Sequence, residues 1–226
     1  MNLGAAAVIP AAGSGRRMGG VRKAFLEIGG TPLLRYCIEA FQSVAAIRQV
    51  VVALAEDVLQ RPPDWLRRAN VTLVRGGAER HESVRLALAA VDEDIDVVLI
   101  HDAARPFVDA DLIARVLETA ATGAGAVAAL PASDTIHEVN DRLEIVGTPP
   151  RQHLWSAQTP QAFPLEMIRE AHARAAADGV HGTDDAALAV RYGFVVKVVA
   201  GDPANLKVTL PQDVALAELL LASRRP

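Results

Sequence analysis

Small and cationic residues follow the first apolar run of the chain. Ala5–Ile9 leads directly into Pro10–Met18 (PAAGSGRRM), and Lys23 comes shortly afterwards. Small side chains let backbone N–H groups approach an anion closely, and guanidinium and ammonium groups bind phosphate oxygens. The segment therefore predicts a site for a nucleoside triphosphate. A strand-to-loop turn with solvated arginines is the alternative.

Two common phosphate-binding motifs do not describe this segment. A Walker loop would end in lysine followed by serine or threonine, and Met18 stands where a dinucleotide-binding fingerprint has its third glycine. The charges of Arg16, Arg17 and Lys23 instead suit a reaction in which the phosphoryl oxygens of a transition state must be stabilised.

A second polar segment, His101–Phe107 (HDAARPF), follows the apolar run Val97–Ile100. Because the carboxyl ends of parallel strands meet at one edge of a sheet, its polar groups are expected near the first segment. Asp102 is predicted to hold a metal, to accept from a substrate hydroxyl or to orient Arg105. His101 is interpreted as a structural residue, since a histidine beside a buried strand usually only makes hydrogen bonds.

Further polar segments follow later in the chain. Arg75–Ser83 is predicted to contact a base edge or a ribose through backbone N–H groups and Ser83, with helix capping by Ser83 as the alternative. Four other turns carry cationic or hydroxyl groups and are interpreted individually as solvated loops: Pro149–Arg151, Thr159–Gln161, Gly182–Asp185 and Asn205–Thr209.

Composition limits the function classes. The 226 residues are 51% hydrophobic and 22% charged, which predicts one α/β domain over residues 1–226. A formal net charge of −4 argues against a general nucleic-acid or membrane-surface partner, and no apolar run reaches the roughly 20 residues of a membrane span. The single cysteine, Cys37, excludes an intramolecular disulfide and is expected to be a buried thiol. We expect a soluble, cytoplasmic protein.

Strands and helices are predicted to alternate. The expected strands are mostly continuous apolar runs, typical of buried parallel strands: Ala5–Ile9, Val50–Leu54, Val71–Val74, Val97–Ile100, Ala126–Leu130 and Val195–Val199. The expected helices have apolar residues on one face: Leu33–Phe41, Ser83–Val91, Leu112–Ala121, Pro164–Ala177 and Val214–Leu221. This pattern predicts a doubly wound, mostly parallel sheet.

One segment departs from that alternation. Residues 134–155 show partial period-two patterning around a turn-like Asn140–Arg142, which predicts a protruding β-hairpin arm. A long hairpin is marginal alone, so pairing with a second subunit, and thus a homodimer, is expected. The alternative is a hairpin folded back on its own sheet.

Six motif segments occur in order along the chain: PAAGSGRRM with Lys23, GGAERHESV, HDAARPF, PRQHLWSAQTPQAF, HGTDDAAL and NLKVTLPQD. In this order they resemble the 2-C-methyl-D-erythritol 4-phosphate cytidylyltransferase family. The first segment belongs to a wide nucleotidyltransferase superfamily, and the later segments narrow the resemblance to the cytidylyltransferases. The resemblance implies a Rossmann-like nucleotidyltransferase fold with a dimerisation arm.

The resemblance also implies roles for individual residues. Four catalytic residues would bind the triphosphate or position the sugar phosphate: Arg17 and Lys23 for the former, Arg151 and Lys207 for the latter. Four residues would surround the sugar phosphate: Asp102, Arg105, Thr135 and Thr183. In some members of the family, the residue that matches Thr183 comes from the dimer partner. Six would bind CTP: Ala11, Ala12, Gly13, Gly15, Gly76 and Ser83. Protein ligands for the expected Mg²⁺ stay unassigned, because the CTP phosphates would mainly hold it.

One position departs from the family pattern. Members commonly have proline before the loop lysine and glutamine after it, whereas this chain has Arg22, Lys23 and Ala24. Arg22 could therefore compete with Lys23 for the triphosphate.

The implied reaction is cytidylyl transfer from CTP to 2-C-methyl-D-erythritol 4-phosphate, with Mg²⁺ and release of pyrophosphate. It would form 4-diphosphocytidyl-2-C-methyl-D-erythritol for isoprenoid synthesis. The alternatives are a ribitol 5-phosphate cytidylyltransferase, a sugar-1-phosphate nucleotidylyltransferase and a non-catalytic nucleotide-binding dimer.

Overall fold

The computed structural model of the chain describes residues 3–13, 22–67 and 70–223. Its strands are β1 Ala5–Pro10, β2 Glu27–Ile28, β3 Thr31–Pro32, β4 Ile47–Leu54, β5 Val71–Arg75, β6 Val97–Ile100, β7 Gly125–Pro131, β8 Glu138–Val139, β9 Ile145–Gly147, β10 Trp155–Pro164 and β11 Val196–Ala200. Its α-helices are α1 Leu33–Gln42, α2 Glu56–Gln60, α3 Arg80–Leu88, α4 Ala110–Ala120, α5 Leu165–Asp178, α6 Asp185–Arg191 and α7 Pro211–Ser223.

Seven of the described strands form the central sheet, in the spatial order β11-β7-β10-β6-β1-β4-β5. Parallel pairs join β1 to β4 and β6, β4 to β5, and β7 to β11. Strand β10 runs antiparallel between β6 and β7. The prediction of a mostly parallel α/β fold is therefore confirmed.

Helices cover both faces of this sheet. Along β1, Ala5, Ala7 and Ile9 pack into the core beneath α1 and α4, whereas Ala6 and Val8 pack into the core beneath α3 and α5. Because both faces are buried, the strand has a continuous apolar run in place of alternation. Polar residues that follow such strands therefore come together at the carboxyl edge of the sheet.

Strand β10 was not predicted from the sequence. The interpretation of Thr159–Gln161 as a solvated turn is wrong, because these residues lie inside β10 and both Thr159 and Gln161 are buried. The sequence does not show the pattern of a buried strand here, because it contains polar side chains and Pro160. The register of β10 against β7 also shifts between Ala157 and Gln161. Strand β10 lies between β7 and β6, and its polar side chains make hydrogen bonds to adjacent loops: Gln158 bonds Asp202, and Gln161 bonds Asp184.

Two further loop interpretations need correction. Gly182–Asp185 is not simply a turn, because Asp184 caps α6 through a hydrogen bond from the Ala187 backbone and Asp185 begins the helix. Within Asn205–Thr209, Asn205 is buried and not solvated. Both segments contribute residues to the lining of the site described below.

The hairpin predicted within residues 134–155 is present, but its strands are shorter than expected. Strands β8 and β9 pair antiparallel with each other in a separate two-stranded sheet, so folding back onto the central sheet is wrong for the described residues. The Asn140 side chain accepts hydrogen bonds from the backbone N–H groups of Arg142 and Glu144, which closes the turn. The hairpin is exposed along its length.

Two other expectations concern burial and membrane spans. Cys37 is fully buried in α1, and burial, aided by the negative charge of Asp102, raises the pKa of its thiol well above the usual value. In the part of the chain that the structure describes, no helix has both the length and the apolar character needed to cross a bilayer.

Candidate functional site

A cavity of about 580 Å³ opens at the carboxyl edge of the sheet, beside the ends of β1 and β6. Polar and cationic groups share its wall with small residues. Its lining is Pro10, Ala11, Gly13, Lys23, Ala24, Ala78, Glu79, Arg80, Asp102, Ala103, Ala104, Lys207 and Thr209. We call this the first cavity.

Among the described residues assigned to CTP, Ala11 and Gly13 line the first cavity, and three others, Ala12, Gly76 and Ser83, pack against one another. A Cβ atom added to Gly76 would lie 2.3 Å from the Ala12 Cβ and 3.0 Å from the Ser83 Oγ. The Ala11 N–H donates to the Ala53 carbonyl, which continues the β1–β4 ladder past the end of the strand. This close approach of two chain segments requires glycine at position 76, since any larger residue would displace a neighbour.

Ser83 acts within the protein in a way that the sequence did not predict. Its buried hydroxyl donates to the Glu79 carbonyl and accepts from the Gly77 N–H. The alternative of helix capping by Ser83 is wrong, because Glu79 is the N-cap of α3 and forms a reciprocal capping box with Glu82. Ser83 thus fixes the glycine loop against the helix.

The structure separates the two adjacent cations of the N-terminal motif. Lys23 lines the first cavity and its Nζ donates to the Thr209 carbonyl at 2.9 Å. Arg22 forms a two-pronged ion pair with Asp57, at 2.8 and 2.9 Å, on a different surface. Competition from Arg22 for this cavity is therefore not supported. The predicted residues Gly15 and Arg17 lie outside the described residues.

Asp102 is the centre of an ion-pair network. Its Oδ1 accepts from Arg80 Nε at 2.9 Å, and its Oδ2 accepts from Lys207 Nζ at 2.6 Å. Burial alone would raise the pKa of Asp102, but the positive charges of Arg80 and Lys207 outweigh it and hold that pKa well below its usual value. Asp102 is therefore ionised at neutral pH, and both of its oxygens already have cationic partners.

The network continues into the core through Arg80. Arg80 Nη1 lies 2.8 Å from Asp185 Oδ2, and Asp185 Oδ1 lies 3.0 Å from His172 Nε2. Burial opposes the charge of Arg80, yet the carboxylates of Asp185 and Asp102 raise its pKa above the usual value. Asp185, although fully buried, has a lowered pKa because Arg80 and His172 outweigh the cost of burial.

A second cavity of about 240 Å³ adjoins the first across this network. Its lining is Arg80, Asp102, Arg105, Ala157, Gln158, Thr159, Gln161, Thr183, Asp184 and Lys207. Arg80, Asp102 and Lys207 line both cavities. These three charged groups therefore form the boundary between the two cavities.

Besides Asp102, two more of the residues predicted to surround the sugar phosphate, Arg105 and Thr183, line the second cavity. Arg105 donates to the carbonyls of Asn205, at 2.8 Å, and Ala157, at 3.4 Å. These guanidinium bonds are to backbone carbonyls and not to the Asp102 carboxylate, whose oxygens accept from Arg80 and Lys207, so the suggestion that Asp102 serves to orient Arg105 is not supported. Burial lowers the pKa of Arg105, partly offset by the charge of Asp102.

Two residues predicted to act on the sugar phosphate, Thr135 and Arg151, do not line either cavity. Both are exposed at the base of the hairpin arm, and Arg151 Nη1 donates to the Ser133 carbonyl at 3.1 Å. The described residues of one chain therefore assemble Lys23, Lys207, Asp102, Arg105 and Thr183 but leave the arm residues apart.

His101 is buried, in line with the structural interpretation. Its Nε2–H donates to the Arg105 carbonyl at 3.0 Å, so in the neutral ring Nδ1 accepts from the Thr159 hydroxyl at 3.1 Å. The Thr159 Oγ1 in turn accepts from the Asp102 N–H. This chain of hydrogen bonds ties the Asp102 turn to β10.

Sequence reasoning missed several site residues, among them Arg80, Asp185 and Gln161. Gln161 is buried, donates to Asp184 Oδ2 at 2.8 Å and accepts from the Ala186 N–H at 2.9 Å, which anchors the loop of Thr183. The available signal for Arg80 was an arginine between the glycine loop and the predicted helix Ser83–Val91. Its two carboxylate partners come from distant segments, so spacing did not reveal them.

This arrangement suits two anionic ligands that must meet. Glycine and alanine backbone borders the first cavity, cations line both cavities, and the shared network sits at their junction. Cationic groups can offset the repulsion between two phosphates and stabilise charge that develops during transfer between them.

Comparison with known proteins is consistent with that chemistry. Residues 5–223 match the family model of 2-C-methyl-D-erythritol 4-phosphate cytidylyltransferase (IspD). The protein of that name from Symbiobacterium thermophilum is 44% identical over 215 residues, covering 95% of this chain and 91% of the relative. The protein of that name from Geobacter metallireducens is 42% identical, covering 97% and 98%.

Solved structures give the same result. The crystal structure of 2-C-methyl-D-erythritol 4-phosphate cytidylyltransferase from Thermus thermophilus is similar with a TM-score of 0.82 and 38% identity, covering 98% of this chain and 100% of that chain. The structure of 4-diphosphocytidyl-2C-methyl-D-erythritol synthase from Anaerococcus prevotii has a TM-score of 0.88 and 28% identity, covering 98% and 97%.

His101 gives a testable pH dependence. Burial lowers its pKa from 6.5 to about 4, so between these values the unfolded chain binds a proton that the folded chain does not. The free energy of unfolding should therefore fall as the pH drops from 6.5 to 4, and His101 should account for about 3 kcal/mol of that loss. His101→Gln, which retains a donor and an acceptor, should show a shallower loss in urea denaturation across this range.

The exposed His153→Gln provides the matched control and should follow the wild-type pH dependence. Equal slopes for His101→Gln and the wild-type protein would contradict the assignment of the neutral, buried ring.

Proposed function

Because the chain belongs to the 2-C-methyl-D-erythritol 4-phosphate cytidylyltransferase family, we propose that it transfers a cytidylyl group from CTP to 2-C-methyl-D-erythritol 4-phosphate. The observation that carries this proposal is the sharing of Arg80, Asp102 and Lys207 by two adjoining cavities. CTP occupies the first cavity and the sugar phosphate occupies the second.

The nucleophile is an oxygen of the sugar phosphate. Its second pKa near ~6 leaves the phosphate largely dianionic at neutral pH, so no protein base is needed. The oxygen forms a bond to the α-phosphorus of CTP while the bond from that phosphorus to the bridging oxygen of the β-phosphate breaks. Pyrophosphate leaves with the electron pair, and the product carries a new diphosphate linkage.

Different cations of this chain bind the two ligands. Lys23, at the first cavity, binds the triphosphate together with Arg17, whose role rests on the family motif. Lys207 contacts the attacking phosphate from the junction of the cavities, where its ammonium group already bonds Asp102. Positioning both anions in line for attack, and offsetting their repulsion, lowers the barrier without proton transfer.

Mg²⁺ fits this site as a companion of the triphosphate. Both oxygens of Asp102 have cationic partners, so this carboxylate of the first cavity is a poor candidate for a cage made of protein ligands. Mg²⁺ typically combines few protein carboxylates with substrate phosphates. When bound, it would neutralise triphosphate charge and favour pyrophosphate as a leaving group.

The exposed arm supports a homodimer. Leu143 is 81% exposed, and Ile145 and Val146 are each 60% exposed, which is unusual for apolar side chains on a free two-stranded hairpin. Thr135 and Arg151 lie on the same arm, outside both cavities of their own chain. Pairing of arms would cover the apolar side chains and bring these two residues to the partner's sugar-phosphate site.

Light scattering tests the dimer. We expect twice the chain mass for the wild-type protein and a shift towards the monomer for Ile145→Asp, because a charge would be buried in the interface. Glu144→Asp, beside it on the turn, should keep the wild-type mass. A wild-type monomer at working concentration would contradict the proposal.

We also propose that residues 1–226 form one domain with 134–155 as its arm, and that the protein is cytoplasmic. The buried, unpaired thiol of Cys37 supports a reducing compartment.

Pyrophosphate release with different substrate pairs tests the function itself. We expect Mg²⁺-dependent turnover to be greatest with CTP and 2-C-methyl-D-erythritol 4-phosphate. Preference for ribitol 5-phosphate would retain the chemistry but overturn the substrate, although the names of the relatives do not favour that alternative. Absence of turnover with every pair would favour the non-catalytic nucleotide-binding dimer and contradict the proposal.

Lys207 should affect the two substrates unequally. Lys207→Ala removes a charge-assisted hydrogen bond worth about 1.5–3 kcal/mol, so kcat/KM for the sugar phosphate should fall about 10- to 100-fold. CTP affinity, measured by calorimetry, should change by less than about threefold, because Lys23 and the glycine loop remain. Lys197→Ala, on the exposed face of β11, is the matched control and should leave both values unchanged. Equal losses for the two substrates would contradict the assigned role.

A further inference from the structure

Three potential metal ligands lie together outside the network described above. Glu79 and His81 stand at the start of α3, and His181 lies in the loop before α6. His181 Nδ1 is 3.0 Å from His81 Nε2 and 3.7 Å from Glu79 Oε2, while His81 Nδ1 is 3.4 Å from the same Glu79 oxygen. One ligand atom from each residue can be chosen so that all lie within 4.8 Å of one another.

These separations suit a small divalent cation. With bonds of about 2.0–2.1 Å, a tetrahedral zinc ion holds its nitrogen and oxygen ligands roughly 3.3–3.4 Å apart, and the ligand separations at His181 fall on either side of that value. Two neutral imidazoles this close can share only one proton, whereas a cation accepts a lone pair from each ring. The two rings meet edge to face, with centroids 4.6 Å apart.

The protein holds these ligands in place through independent contacts. The capping box fixes the Glu79 carboxylate at the helix start, and His81 follows two residues later on the same rigid turn. On the other side, the bond from Gln161 to Asp184 anchors the chain three residues beyond His181. Preorganised ligands on two different elements reduce the ordering cost of binding.

We propose that Glu79, His81 and His181 bind a divalent cation of the zinc class, with water completing a tetrahedral set. Two imidazole nitrogens and one carboxylate oxygen favour Zn²⁺, Ni²⁺ or Co²⁺ over Mg²⁺, which prefers oxygen ligands throughout. The site is distinct from the Mg²⁺ expected on CTP. Its binding joins the first turn of α3, which carries Arg80, to the loop that carries Thr183, and so links the walls of the two cavities.

Cobalt binding tests the site directly. Tag-free, full-length protein, stripped of metals and measured without nucleotide, is titrated with Co²⁺ and followed by visible absorbance, then with Zn²⁺ by calorimetry. We expect one cation per chain and an intense tetrahedral Co²⁺ band. His181→Ala should abolish the band and weaken Zn²⁺ binding by at least about tenfold, because a direct ligand is lost. The exposed His181 is not needed for the core, so this variant should fold.

His153→Ala, an exposed histidine away from the cluster, is the matched control and should bind like the wild-type protein. Hydrogen exchange gives a second readout: Zn²⁺ should slow exchange of the backbone amides of residues 181–184 in the wild-type protein and not in His181→Ala. Equal Co²⁺ and Zn²⁺ binding by His181→Ala and the wild-type protein would overturn the proposal, as would Zn²⁺ binding no stronger than Mg²⁺ binding. Because nucleotide is absent, either result is independent of the proposed transferase activity.

Discussion

The contact of the partly exposed Arg80 with two largely buried carboxylates is the interaction on which the site depends. Asp102 reaches it from the end of β6 and Asp185 from the start of α6, so one side chain connects three segments distant in sequence. Charges removed from water are costly unless they are paired, and removing one partner of such a pair typically costs about 3–5 kcal/mol. The network is therefore stable only when the loops of both cavities are in place.

The charge balance of this network has a consequence for binding. The two carboxylates of Asp102 and Asp185 balance the two cations Arg80 and Lys207, so these four side chains together carry no net charge. Lys207 is the accessible member, with a side chain that is 44% exposed, whereas Asp102 is held behind it. An incoming phosphate can therefore share Lys207 with Asp102 without exposing an unpaired carboxylate. Lys23 adds further positive charge at the first cavity.

Sequence reasoning predicted the parallel strands because burial on both faces leaves a direct signature, a continuous apolar run. It missed β10, where Gln158, Thr159 and Gln161 are buried by hydrogen bonds to neighbouring loops and not by apolar character. Family motifs indicated the residues of the two cavities. They did not indicate that Arg80 joins them, because its partners lie 22 and 105 residues further along the chain. Ion pairs between distant segments have no local pattern to read.

Steady-state kinetics of Arg80→Lys would test this account most directly. Lysine keeps the charge but has a single nitrogen head, so it cannot reproduce the separate contacts of Nε with Asp102 and Nη1 with Asp185. Because Arg80 joins the Asp102 turn to the start of α6, its contacts position the loops of both cavities. We therefore expect kcat/KM to fall at least about tenfold for CTP and for the sugar phosphate alike, since a charge-assisted contact is lost. Arg75→Lys, which alters an exposed ion pair with Glu56, should change neither value. An unchanged Arg80→Lys enzyme, or a loss confined to one substrate, would contradict the claim that this network unites the two cavities.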